Sequence, residues 1–368
     1  MELKPTVAGI PPRAFPALDA LRGIAALLVA LFHFRGNFLG FNNYPSGDGY
    51  LAVDMFFVLS GFVLSHAYLS RFERGMSVGQ FVRIRLIRLY PLYLVGLLLA
   101  MANILLGMEP TGDLTKAGLL QAFTLELFML PSWPTVRDQL FMINPVSWSL
   151  FFELMVNILF VMLWRRLTPK FLWSVISASG MVIAAFTLYR HNASMGNFWR
   201  TSPIGVARTF FSFGLGILIY YGYRSGRLRV HAPLPVFLLA AAVLIIYLLI
   251  PVPPRIRACY DLAFIFLVAP TLVMIGASRH LENRWMGIFS FLGATSYALY
   301  ATHANLIPLV MTLSARTFAA PPVWLISIAS VCVATLLAYL LDMVYDKPVR
   351  SALAASFARN QPGRAIRT

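Results

Sequence analysis

Ten stretches of this chain stay apolar for about the 20 residues that a helix needs to cross a bilayer. They are residues 17–36, 50–70, 86–107, 145–164, 171–189, 204–222, 234–252, 259–277, 288–313 and 322–344. Lipid offers no water to unpaired backbone groups, so runs of this length become helices that satisfy their own hydrogen bonds. Composition points the same way. Only 12% of the 368 residues are charged and 59% are hydrophobic, against roughly 25% charged in a soluble domain. Too little polar surface remains to coat a water-soluble globule. The expected fold is all-α: a polytopic membrane protein with about ten transmembrane helices in one bundle. An eleventh stretch, 117–130, is too short to span and reads as an interfacial or re-entrant helix within the 108–144 loop. With no internal repeat, the expected organisation is an N-terminal tail (1–16), one membrane domain (17–346) and a basic C-terminal tail (347–368).

The net charge of +16 does not indicate a nucleic-acid partner, because the basic residues sit in short clusters between the apolar runs. That pattern orients helices and contacts anionic lipid headgroups. Twenty Lys and Arg residues fall in the N-terminal tail and in 71–88, 165–170, 224–229, 279–284 and 347–367, against seven in the alternate segments. Both termini are therefore expected to be cytoplasmic. The first run carries Arg22 and His33 and lacks a small-residue cleavage site, so it is expected to remain as the first span. Cys259 and Cys332 lie inside apolar runs without metal-binding spacing, and no metal is expected.

Ionisable side chains inside spans are costly and usually face a cavity. Arg22 and His33 are eleven residues apart, three helical turns plus about 20°, so they share a face some 16 Å apart along the axis. Taken singly, Arg22 can snorkel to headgroups and His33 can be an interfacial ring. Asp54 falls level with His33 and can either cap its helix or fix the imidazole tautomer, as the third member of a triad does. Arg85 and Arg88 follow Arg83 at the cytoplasmic end of the third run. They can act as orienting charges or grip a phosphate through their guanidinium forks. Ser149, Glu153 and Asn157 repeat every four residues as one polar stripe, with Glu153 about 12 Å deep. Ser296, Tyr300 and His303 share a face of the ninth run, where His303 can equally be a hydrogen-bonded core histidine. Guanidinium groups thus gather at the cytoplasmic side and His33, Asp54 and Glu153 lie outward. An acyl-CoA has matching polarity, with phosphates at one end and a thioester on a long arm at the other. A proton-coupled transporter can show the same polarity.

At these residues the chain resembles the acyltransferase-3 family, the membrane O-acyltransferases of bacterial surface polysaccharides, lipopolysaccharide, Nod factors and some antibiotics. The resemblance covers roughly residues 14–350. It rests on Arg22 with His33, on Ala52 to Gly61 (with Ala52 where the family has glycine), on Arg85 to Tyr93 and on Trp148 to Glu153. It also rests on Ser296, Tyr297, Tyr300 and His303, and on Asp346-Lys347-Pro348, where the family often has glutamate first. The resemblance implies an acyl-CoA donor, commonly acetyl-CoA, a saccharide or lipid-linked saccharide acceptor, and a place in the bacterial inner membrane. It also implies a stand-alone member without an external SGNH-type hydrolase domain. The expected roles are Arg22, Arg85 and Arg88 on the CoA phosphates and His33 as general base or transient acyl carrier. Asp54 would orient His33, and Glu153 would bind the acceptor or relay a proton. Ser149, Tyr300 and His303 are expected on the substrate. The alternatives are N-acylation of an amino sugar, a transporter or flippase of polysaccharide precursors, and a scaffold in polysaccharide assembly.

Overall fold

A computed structural model describes residues 15–40, 47–109, 114–134, 137–228, 232–278, 283–320 and 322–359. Of the expected tails (1–16 and 347–368), residues 1–14 and 360–368 lie outside the described residues. The chain is an all-α polytopic membrane protein. Among the described residues there is no strand, only an isolated bridge between Gln139 and Phe198. Eight helices among the described residues are long and apolar enough to cross a membrane: Pro16–Leu39, Gly49–Glu73, Val78–Leu105, Pro145–Arg166, Pro169–Arg190, Trp199–Arg224, Pro254–Ser278 and Val323–Phe357.

Two of the ten apolar runs take another form. Residues 234–252 yield the 16-residue helix Leu234–Leu249. The run 288–313 breaks at His303, giving a helix Asn283–Thr302, a tight turn His303–Leu306 and a helix Ile307–Thr317. Pro308 at the second position of the following helix suits that break, since its missing N–H belongs to a helix start. The last span continues through a wide-turn segment Asp342–Asp346 into the helix Lys347–Arg359. The first part of the expected polar tail is therefore helical.

We number the helices that build the site α1 (Pro16–Leu39), α2 (Ala52–Glu73), α3 (Val78–Leu105), α4 (Lys116–Leu127) and α5 (Trp148–Leu163). They are followed by α6 (Ser202–Arg224), α7 (Asn283–Thr302) and α8 (Val323–Leu341).

Close approach of backbones sets the pairings, as small residues allow in membrane bundles. Gly23 of α1 lies against Leu292 of α7, and Gly293 of α7 lies against Asp19 of α1. Gly61 of α2 and Gly216 of α6 face each other so closely that a Cβ on either would strike the other helix's backbone. Gly96 of α3 is similarly pressed to the Ala301 carbonyl of α7. Arg22 and His33 of α1 meet Ser296 and His303 in turn, and Leu89 and Gly96 of α3 meet Tyr297 and Ala301, so α1, α3 and α7 run parallel.

The short helix α4 occupies the eleventh stretch and is tied down by Glu126. This fully buried carboxylate accepts from the backbone N–H groups of Met142 (2.7 Å), Ile143 (3.0 Å) and Asn144 (3.1 Å), and from the Ser132 hydroxyl (3.0 Å). Burial pushes the Glu126 carboxyl above its ordinary range, against the pull of these donors. The tie fixes the chain immediately before α5, and so helps to set the depth of Ser149 and Glu153.

Candidate active site

Helix α7 is the spine of a polar column. Near its middle, Arg22 of α1 donates through Nε to the Ser296 hydroxyl (2.9 Å) and through Nη2 to the Gly293 carbonyl (2.8 Å). Asp19, one turn before Arg22, pairs with the same Nη2 at 2.8 Å. The next residue of the spine, Tyr297, lies under the Arg88 guanidinium at 5.9 Å and donates its hydroxyl to the Leu89 carbonyl at 2.5 Å. Arg22 and Arg88 thus converge on adjacent residues from opposite neighbours of the spine.

One turn further, the Tyr300 and Ser149 hydroxyls are 2.5 Å apart. At the end of the spine, His303 Nε2 lies 3.2 Å from His33 Nδ1. Arg22 and His33 therefore do share a face of α1, and both meet the spine. Of the nine residues given expected site roles, six are drawn onto this column: Arg22, His33, Arg88, Ser149, Tyr300 and His303.

Arg85 and Glu153 are brought together rather than held at separate levels. Arg85 Nη2 contacts Glu153 Oε1 at 2.7 Å, and Ser60 donates to the same oxygen at 3.2 Å. The reason lies in where α3 begins. Ser77 forms a capping box with Gln80, accepting from its N–H at 3.2 Å and donating its own N–H to the Gln80 side chain at 2.9 Å. The helix therefore starts at Val78, eight residues before the apolar run, and carries Arg85 about 10 Å inward. Glu153 remains 23% exposed within this pairing, open enough to meet a ligand. Asn157, the next member of its stripe, is fully buried, and its amide atoms have no hydrogen-bond partner among the described residues.

Asp54 faces a different partner from the one its level suggested. Both of its oxygens bind the buried Arg208 of α6, at 3.1 Å to Nε and 2.5 Å to Nη2. Arg208 also donates to the carbonyls of Met195 (2.7 Å) and Tyr50 (3.3 Å). A buried ion pair needs such matched geometry to offset desolvation, and this one staples α2 to α6. The position next to His33 Nδ1 that a triad would give to Asp54 is held by His303.

Sequence reasoning assigned no role to Arg208 or Arg350. Arg208 carried the signal of a charge inside an apolar run, which needs a counter-ion. Arg350 reads as a tail residue, yet only 14% of its side chain is exposed, and it contacts Asp346 at 3.0 Å and Asp342 at 3.7 Å. Arg83 stacks on Phe357 at 4.5 Å and ties this C-terminal helix to α3.

The column sets an imidazole pair at one end and guanidinium groups about three turns away along α1. No cluster of three or more His, Cys, Asp or Glu residues suited to a metal occurs among the described residues.

Comparison with known proteins follows the same line. The chain is 38% identical over 185 residues to protein 2 in the picA locus of Rhizobium radiobacter, covering 47% of this chain and 94% of that protein. It is 28% identical over 328 residues to the acyltransferase MdmB of Streptomyces mycarofaciens, covering 81% of each chain. Over 194 residues it is 26% identical to the O-acetyltransferase OatA of Staphylococcus aureus, which spans 48% of this chain and 30% of that longer protein. No solved structure matches. The acyltransferase domain model of the acyltransferase-3 family matches residues 15–343, which takes in every helix of the polar column. The chain belongs to the acyltransferase-3 family.

Proposed function

We propose that this protein is an O-acyltransferase of the bacterial inner membrane that takes an acyl group, commonly acetyl, from cytoplasmic acyl-CoA. The acceptor is a hydroxyl of a cell-surface or lipid-linked saccharide. The observation that carries the reading is the polarity of the column, with Arg22 and Arg88 beside Ser296 and Tyr297 at one level and His33 beside His303 about 16 Å further along α1. A CoA phosphate at Arg88, on the level of Arg22, leaves the pantetheine arm to run along the spine and bring the thioester toward His33. His33 acts as general base: the acceptor oxygen attacks the thioester carbonyl carbon while its proton passes to the imidazole. The carbon–sulfur bond then breaks, and the CoA thiolate leaves with that proton. Glu153 and Ser149 line the path of the acceptor or of the acyl arm. Asp54 acts through the fold, by holding α2 against α6.

The pairing of Arg85 with Glu153 divides the arginines. Arg88 has no hydrogen bond among the described residues and is available to a phosphate, whereas Arg85 is engaged with Glu153, and Arg22 with Asp19, Ser296 and Gly293. A charge-assisted hydrogen bond is worth about 1.5–3 kcal/mol, so Arg88→Ala is expected to raise the KM for acetyl-CoA by about ten-fold or more. Arg85→Ala is expected to lower kcat more than it raises KM. Equal and purely KM-based effects would place both arginines on the phosphate.

The acceptor is identified by comparing glycans of a deletion strain with those of its parent by mass spectrometry. Loss of one acyl mass from a surface glycan is the expected result. Unchanged glycan acylation with altered glycan export favours a flippase.

A further inference from the structure

The positions of the two histidines fix their protons. A backbone carbonyl only accepts hydrogen bonds, so a ring nitrogen facing one must carry hydrogen. His303 Nδ1 faces the carbonyls of Leu299 (2.9 Å) and Tyr300 (3.0 Å), and is therefore protonated. His33 Nδ1 faces the carbonyl of Val29 at 2.9 Å and is protonated as well. The contact between the rings, His303 Nε2 to His33 Nδ1 at 3.2 Å, then has a single sense. His33 donates its one Nδ1 hydrogen, shared between the Val29 carbonyl and His303, and His303 accepts through the lone pair on Nε2. One further consequence is that His33 keeps its own lone pair on Nε2, the atom a general base uses.

From this geometry we infer that His303 is the positioning residue of the catalytic base, holding His33 as the Nδ1–H tautomer with Nε2 as the proton acceptor. The inference rests on the reading of His33 as the base. His303 is fully buried and sits where the spine breaks into a tight turn, which presents the ring across to α1.

A neutral acceptor suits the site better than the carboxylate of a triad. While His33 is neutral, a carboxylate beside it would be a buried charge without a counter-charge, which is expensive in a low-dielectric interior. An imidazole carries no such cost. When His33 takes the acceptor's proton on Nε2, positive charge spreads to Nδ1–H, and the bonds from Nδ1–H to His303 Nε2 and to the Val29 carbonyl both strengthen. The stabilisation therefore appears as the charge develops, which is what accelerates a reaction rather than merely binding its substrate. The proton returns from His33 Nε2 to the departing CoA thiolate, so the tautomers are restored with each turnover.

Two amide side chains separate this role from a structural one. Asparagine places its amide near the position of the histidine Nδ1 and can still donate to the spine carbonyls, but offers nothing at the Nε2 position. Glutamine places a carbonyl oxygen near Nε2 and can accept from His33. The test uses the full-length protein in lipid nanodiscs, with acetyl-CoA as donor and octyl glucoside as a saccharide hydroxyl, following acetylated product and CoA release. The expected result is a loss in kcat of ten-fold or more for His303→Asn with KM for acetyl-CoA unchanged, and recovery of most of that loss in His303→Gln. Thermal unfolding of each variant reports whether the fold is retained. Wild-type kcat in a folded His303→Asn variant would overturn the inference, and so would equal kcat in His303→Asn and His303→Gln. His33→Ala separates the two levels. If it is inactive while His303→Asn is fully active, His33 remains the base and only the role of His303 fails. If His33→Ala transfers at the wild-type rate, the base itself is elsewhere.

Discussion

His33→Ala should lower kcat for acyl transfer by at least about a hundred-fold while the protein still folds, since a positioned general base contributes about 10²–10⁴-fold. The side chain lies near the end of α1, where its ring packs edge-on against Phe32 and meets His303, with ring centroids 5.2 Å and 5.0 Å away. Removing it takes away one ring from a helix otherwise fixed by Gly23, Gly293 and Arg22, so melting should change little. KM for acetyl-CoA should also change little, because the arginine level is about three turns away on the same helix. A large rise in KM with kcat preserved would mean that His33 binds donor instead of moving a proton. Preserved kcat and KM together would remove it from the site.

The second large effect is on stability. Asp54→Ala should destabilise the protein by about 3–5 kcal/mol, because breaking a buried pair leaves an uncompensated charge. The Arg208 guanidinium would keep only the Met195 and Tyr50 carbonyls, and its side chain is 1% exposed. Replacing both partners with apolar groups, as Asp54→Leu with Arg208→Met, should recover much of the loss, since the penalty belongs to the orphaned charge rather than to the absence of the pair. Unfolding followed in detergent by heat or denaturant measures both. If Asp54 instead orients His33, Asp54→Asn should lower kcat with melting unchanged, and the double replacement would be inactive however stable it is. The structure's pairing leads to the opposite expectation, that loss of activity follows loss of fold.

The transmembrane architecture was legible because lipid imposes one rule on every span: satisfy the backbone internally over about 20 apolar residues. Where that rule met a local signal, the local signal won. The Ser77–Gln80 capping box starts α3 well before its apolar stretch, and this is why Arg85 reaches Glu153. The break at His303 carried a signal in Pro308, which starts helices, but the length of the apolar run 288–313 does not by itself distinguish one long helix from two joined by a turn.

Within the site, what one helix can show was readable. Arg22 and His33 on one face of α1, and Ser296 and Tyr300 on one face of α7 with His303 directly after its end, followed from helical period alone. Their mutual pairing did not follow. His33 and His303 are 270 residues apart in sequence, and the choice of His303 rather than Asp54 as neighbour depends on which helices pack together. Gly23 and Gly293 decide that packing for α1, and Gly61 with Gly216 decides it for α2, which carries Asp54 to Arg208. Arg208 itself was visible as a charge in an apolar run, and asking for its counter-ion would have narrowed the choice to the five acidic residues inside the apolar runs, Asp19, Asp54, Glu153, Asp261 and Asp342.

The central claim is that this bundle transfers an acyl group from CoA to a hydroxyl, and the most direct measurement follows both products at once. Purified protein in lipid nanodiscs is supplied with acetyl-CoA labelled in the acetyl group and with octyl glucoside. Free CoA thiol and labelled glycoside are then counted over time. The expected result is equal amounts of the two, rising together at a rate that depends on enzyme and on His33. No release of CoA above the protein-free rate, in a preparation that binds or moves saccharide across a membrane, would contradict the claim and make the protein a transporter.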